Sequence, residues 1–164
     1  MTLAPDRLDR FARHIVLPEL GGAGQVALSE AHVVLVGCGG IGSPALQYLA
    51  GAGIGRLTLV DDDVVDASNL QRQTIFTPAD IGRSKAEAAA DWVRRFDPVL
   101  DARAVAGRVG GHNAAQVIES ATVVLDGCDN FATRLLVSDT CVRQGIPLTT
   151  AAIGRFQEIG RAHV

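Results

Sequence analysis

The residues best suited to chemistry fall into four short blocks. Gly37-Cys38-Gly39-Gly40-Ile41-Gly42 fits the pattern G-x-G-x-x-G. Glycines allow a tight turn and let a phosphate approach main-chain N–H groups. A helix opening just behind them adds about half a positive charge. Asp61 comes 19 residues after Gly42, where a carboxylate can accept hydrogen bonds from ribose hydroxyls. Gly37, Gly39, Gly40, Gly42 and Asp61 therefore point to an adenine nucleotide, with NAD and ATP both open.

The third block is Asn69-Leu70-Gln71-Arg72-Gln73, continued by Gly82-Arg83-Ser84-Lys85. A polyphosphate needs cations, and Arg72 with Lys85 offers a planar fork and a point charge. Both could instead simply solvate a loop and a helix start. Lys85 is the only lysine among 15 basic residues, and a cation in the first turn of a helix opposes the dipole unless an anion compensates it. The fourth block is Asp126-Gly127-Cys128-Asp129-Asn130. Asp129 could hold Mg²⁺ against a triphosphate, because Mg²⁺ takes one or two carboxylates plus phosphate oxygens. Asp129 or Asn130 could equally cap the next helix, and the two roles can coexist.

These blocks need elements to position them. The apolar runs Val33–Val36 and Leu57–Val60 read as strands buried on both faces. Ala102–Ala106, Thr122–Leu125 and Pro147–Ala152 read as further strands, the last one unpaired on its outer side. Helices are expected over Ser43–Ala50, Ser84–Phe96 before Asp97-Pro98, Asn113–Ser120, and Asn130–Gln144 ending at Gly145. Ahead of the first strand, Asp6–Val16 has the apolar spacing of one helical face, and Gln25–Ala31 follows the break at Gly21-Gly22. Strands alternating with helices give an α/β class: a Rossmann-like, mostly parallel sheet with helices on both faces, preceded by N-terminal helices. Its binding site belongs at the carboxyl ends of the strands.

Composition removes whole classes of function. The 164 residues are 48% hydrophobic and 20% charged, with a net charge of −3, so no basic footprint for nucleic acid is present. No apolar run approaches the roughly 18–20 residues needed to span a bilayer, and Met1–Arg13 lacks the apolar core of a signal peptide. Cys38, Cys128 and Cys141 form no C-x-x-C pair, which argues against a disulfide scaffold and for a reducing, cytoplasmic compartment. Cys38 and Cys128 read as small apolar fillers rather than nucleophiles; His14 and His112 are expected to be exposed and carry no role.

Taken together with Arg10-Phe11-Ala12-Arg13-His14-Ile15-Val16-Leu17-Pro18 at one end and Asp129-Asn130-Phe131-Ala132-Thr133-Arg134 at the other, the blocks closely resemble the ThiF/MoeB/HesA-type adenylyltransferases, relatives of the ubiquitin-activating enzymes. The resemblance implies that ATP adenylylates the C-terminal glycine carboxylate of a small ubiquitin-like sulfur-carrier protein and releases pyrophosphate. It implies Asp61 on the ribose, Asn69, Arg72 and Lys85 around the phosphates, Asp129 on Mg²⁺, and Arg13 reaching the triphosphate of the partner in a homodimer. Residues 1–157 then form the nucleotide-binding part of a longer family domain. The family's zinc-binding C-x-x-C pairs would lie beyond this chain, and residues 158–164 are expected to be a non-native tail. An NAD-binding oxidoreductase or regulatory module is the alternative, in which Arg72 and Lys85 have no required role. A third possibility is a relative that activates a tRNA-base carboxylate.

Overall fold

The computed structural model describes residues 3–154 and 157–163. Six strands form one sheet in the order β3-β2-β1-β4-β5-β6. They are β1 (His32–Val36), β2 (Arg56–Asp61), β3 (Asp101–Ala106), β4 (Val123–Asp126), β5 (Leu148–Gly154) and β6 (Gln157–His163). β1 to β5 are parallel, and β6 runs antiparallel along β5. The order reverses between β1 and β4, and the carboxyl ends of those two strands open the crevice in which doubly wound folds bind ligands.

Burial of Val33–Val36 in β1 follows from their uninterrupted apolar run, with helices on both sides; His32, at the start of the strand, is buried with its ring hydrogen-bonded to the Ser120 carbonyl and the Thr58 hydroxyl. On one face, Val33, Leu35, Leu57 and Leu59 pack against Leu46 and Ala50 of α4 (Gly42–Ala52) and Ala89 and Val93 of α5 (Lys85–Phe96). On the other, Val34, Val36, Val60 and Val124 meet Ile118 of α6 (Ala114–Ile118) and Val137 and Cys141 of α7 (Phe131–Gln144). The expected helices and strands of the α/β core are thus present, with shifts of a few residues at their ends.

Four expectations change. The helix expected over Asp6–Val16 divides into α1 (Pro5–Arg10) and α2 (Ala12–Ile15). Phe11 leaves the helical conformation between them and buries its ring, 1% exposed, over Gly53 at the end of α4. Arg7 and Arg10 lie over that ring and pair with the buried carboxylate of Asp97. The next helix, α3, begins at Gly21 rather than Gln25 and runs to Glu30. Gln25 is fully buried and joins His14 to the Ala52 carbonyl, which holds α3 in place; His14 is accordingly half-buried, not exposed. Finally, β5 is not an unpaired edge. Gln157–His163 supplies the seven-residue ladder that its open N–H and C=O groups favour.

Candidate nucleotide site

The glycine loop leaves β1 at Gly37, whose φ of 90° is a left-handed conformation suited to glycine. A Cβ there would press on the backbone of Gly127 and Cys128, and one at Gly42 would overlap the Gly37 carbonyl. The loop after β1 and the loop after β4 therefore meet backbone to backbone, and α4 starts immediately behind. This contact brings the first and fourth sequence blocks together at the switch point of the sheet.

Asp61 closes β2 beside them. Its Oδ2 accepts from the Cys38 N–H at 2.7 Å and its Oδ1 from the Asp63 N–H at 2.8 Å. Each oxygen keeps further acceptor capacity for a ribose hydroxyl. Burial pushes the Asp61 carboxyl above its ordinary pKa, opposed by those two N–H groups and by Lys85. Lys85 is 6% exposed, and its Nζ lies 2.8 Å from Asp63 Oδ2. Asp63 is thus the anion that the sequence left unnamed, and it offsets the repulsion between Lys85 and the start of α5. Arg72 lies along the loop from the third block, with Cδ and Nε at 3.6 Å from the position of a Gly40 Cβ, and donates to the Ser68 carbonyl at 3.0 Å. Arg72 thus lies along the glycine loop and Lys85 is close enough to act on Asp61 and Cys38; two cations near a glycine-rich helix N-terminus are a setting suited to a polyphosphate.

A buried clamp shapes the loop after β4. Asp126, fully buried, accepts from the Cys128 N–H at 3.0 Å and the Thr150 hydroxyl at 3.1 Å. Arg134 sits 3.6 Å from Asp126 and donates to Thr150 Oγ1 and to the carbonyls of Cys128 and Ala151. The helix cap is Asn130, whose Oδ1 accepts from the Thr133 N–H at 3.0 Å. Asp129 is exposed and takes no part in the cap. Among the described residues, no group of three His, Cys, Asp or Glu could hold a metal by itself. One free carboxylate beside a phosphate cradle nevertheless suits Mg²⁺, which draws its other ligands from phosphate and water.

A match to the ThiF family model extends over residues 11–158. The chain belongs to the ThiF family. Within this ThiF-family chain the cysteines fit a packing role. Cys38 is fully buried, and burial followed by Asp61 raises its thiol far above the ordinary range. Cys128 is pushed up to about 12 by burial and then by Asp126. Neither offers a ready thiolate.

Two relatives define the neighbourhood. The SAMP-activating enzyme E1 of Haloferax volcanii is 48% identical over 159 residues, covering 96% of this chain and 59% of that protein. The sulfur carrier protein adenylyltransferase of Thermus thermophilus is 41% identical over 156 residues, covering 95% and 58%. The ThiF-family chain thus spans somewhat over half the length of these relatives. The E. coli tRNA N6-threonylcarbamoyladenosine dehydratase TcdA, solved in complex with ATP, superposes with a TM-score of 0.85 at 31% identity, covering 92% of this chain and 61% of that one.

Asn69 and Arg13, both singled out by sequence, have other surroundings within this chain. The Asn69 side chain closes the capping box of the Ala67–Asn69 turn with Asp66. Arg13 is exposed on α2, which lies with Phe11 against Gly53, at the amino end of the sheet. α4 has 11 residues, about 16 Å of helix, between that end and the glycine loop. Asp63, Asp126 and the Arg134 clamp were not singled out by sequence reasoning. Asp63 had a readable signal, as the last member of the acidic run Asp61-Asp62-Asp63 that follows the second strand. The clamp had none, because it depends on β5 lying beside β4.

Proposed function

We propose that the intact protein uses Mg·ATP to adenylylate the C-terminal carboxylate of a ubiquitin-like sulfur-carrier protein. The observation that carries this reading is the meeting of the glycine loop with the Cys128–Asn130 loop, flanked by Arg72 and Lys85. Identities of 48% and 41% to carrier-activating relatives, against 31% to the tRNA-modifying one, favour a protein tail over a tRNA base.

A carboxylate is ionised at neutral pH and needs no general base. Its oxygen attacks Pα, a new P–O bond forms, and the α–β anhydride bond breaks to release pyrophosphate. The protein's task is to align two anions and stabilise charge gathering on the leaving group. The glycine loop holds phosphate oxygens through its N–H groups, Asp61 holds the ribose, and Arg72 and Lys85 face the leaving pyrophosphate. Asp129 would hold Mg²⁺, which supplies further charge neutralisation. Asn69 supports Arg72 through the turn they share. Arg13 acts on the site of a second copy in a homodimer. Dependence on ATP and three free cysteines fit a cytoplasmic setting; no helix among the described residues is long and apolar enough to cross a membrane.

The test pairs calorimetry with pyrophosphate exchange. Mg·ATP should bind more tightly than NAD, and a carrier protein should stimulate ATP–pyrophosphate exchange by the full-length protein. Tighter NAD binding, or exchange stimulated by tRNA and not by a carrier, would overturn the reading.

A further inference from the structure

Gln73 has no role in the scheme above, yet it stands in the site. Its side chain is 2% exposed, and its Oε1 is buried without a hydrogen-bond partner among the described residues. Its Nε2 lies 3.8 Å from where a Cβ on Gly39 would stand, as its neighbour Arg72 lies along Gly40. The N–H groups of both residues donate to the Asn69 carbonyl, at 3.1 and 3.0 Å, so one turn aims two successive side chains at two successive loop glycines.

A buried acceptor left unpaired costs stability, and one that persists calls for an explanation, such as a role in the reaction; its place beside the glycine loop favours a partner that arrives with the reactants. That partner must be a donor. Phosphate oxygens are acceptors, and the ribose hydroxyls belong with Asp61 at the end of β2. Two donors then remain in the proposed reaction, the adenine amino group and the peptide N–H of the carrier's terminal glycine; the second is one carbon away from the carboxylate that must meet the phosphates at the glycine loop, which Gln73 adjoins at Gly39.

We propose that Gln73 Oε1 accepts a hydrogen bond from that terminal N–H and so positions the carrier's carboxylate over Pα. The inference rests on the adenylylation reading. It assigns Gln73 to the protein tail rather than to the nucleotide.

Gln73→Met in the full-length protein removes the amide at nearly constant volume. Three measurements separate the possibilities: thermal melting, the Kd for Mg·ATP by calorimetry, and the KM for carrier in pyrophosphate exchange. The expected result is an unchanged or raised melting temperature, an unchanged Kd, and a carrier KM raised roughly 5- to 150-fold, the range for stranding one buried donor. A lowered melting temperature would make the amide structural and overturn the proposal. A weakened Kd with unchanged carrier KM would assign Gln73 to the nucleotide and overturn it too, as would wild-type values throughout. Failure of the adenylylation reading looks different, because the unmutated protein would then show no carrier-dependent exchange at all.

Discussion

Asp129 and Asn130 are adjacent, both fit to cap a helix by residue type, and the structure gives the cap to Asn130 alone. Asn130 Oδ1 accepts from the Thr133 N–H at 3.0 Å, while Asp129 is exposed and outside the cap. Asn130→Ala should therefore cost about 1 kcal/mol, the usual value of a lost cap, or about 3 °C in melting temperature for a domain of this size. Asp129→Asn should stay within about 0.5 kcal/mol, as an exposed substitution does. Nucleotide binding should show the reverse order. An amide is a poor ligand for a hard cation, so Asp129→Asn should lose the Mg²⁺-dependent part of ATP affinity, roughly 10- to 150-fold for a charge-assisted contact. Calorimetry with and without Mg²⁺, alongside melting curves, reads both effects on one pair of variants. If Asp129→Asn lowers the melting temperature as much as Asn130→Ala, or keeps the full gain from Mg²⁺, the division of labour is wrong.

Lys85→Met should weaken ATP roughly 10- to 150-fold, because the proposed function assigns the buried ammonium that Asp63 holds at 2.8 Å to the phosphates; unchanged affinity in calorimetry would remove Lys85 from the site. The hydrogen bond from Arg83 to Asp91 lowers the Asp91 pKa below its usual 3.8, so its stabilising contribution is present above pH 3.8 and fades as pH falls through the lowered value. Urea midpoints of wild type and Asp91→Asn should differ near pH 6 and converge toward pH 2, and a constant gap would contradict the assignment. Asp97, 2% exposed beneath Arg7 and Arg10, ties α1 to the end of α5; Asp97→Ala should cost about 2–3 kcal/mol, seen as a melting temperature lower by about 5–10 °C, and a shift under about 2 °C would make the clamp decorative.

The core was legible because its signals are local. Val33–Val36 and Leu57–Val60 are apolar runs buried on both faces, and Ser84 and Gly145 flank α5 and α7 with the residues that cap helices. The glycine loop and Asp61 were equally readable, since their chemistry lies in residue type and spacing. What stayed hidden depends on distant partners. The break at Phe11 is set by a ring seated over Gly53, and the Arg134 clamp by β5 lying next to β4. The pairing of β5 with Gln157–His163 was hidden for a different reason: that segment carries little apolar alternation, and its strand rests on open backbone groups rather than a side-chain pattern.

The position of Arg13 carries the quaternary consequence. α2 is fixed to the amino end of the sheet by Phe11 and by the His14–Gln25–Ala52 chain of hydrogen bonds. Its own phosphate loop lies at the opposite end, about 16 Å of helix away, farther than an arginine side chain reaches. If Arg13 serves catalysis, it serves the nucleotide of another copy, and an interface that is the same on both subunits gives each dimer two such shared sites. The arrangement can be tested by mixing two inactive proteins. Arg13→Ala keeps Asp129 but contributes no arginine, and Asp129→Asn keeps the arginine but loses the carboxylate. In a mixed dimer, one site receives Asp129 from the first subunit and Arg13 from the second, while the other site lacks both. Random exchange makes about half of the dimers mixed, so the full-length mixture should recover about a quarter of wild-type pyrophosphate exchange. Sites built from one subunit alone would recover none, because every site in the mixture would then lack one of the two groups. Recovery absent despite demonstrated subunit exchange would place Arg13 inside its own subunit's site, and activity of Arg13→Ala by itself would place it outside the reaction; either result would end the argument for a shared active site.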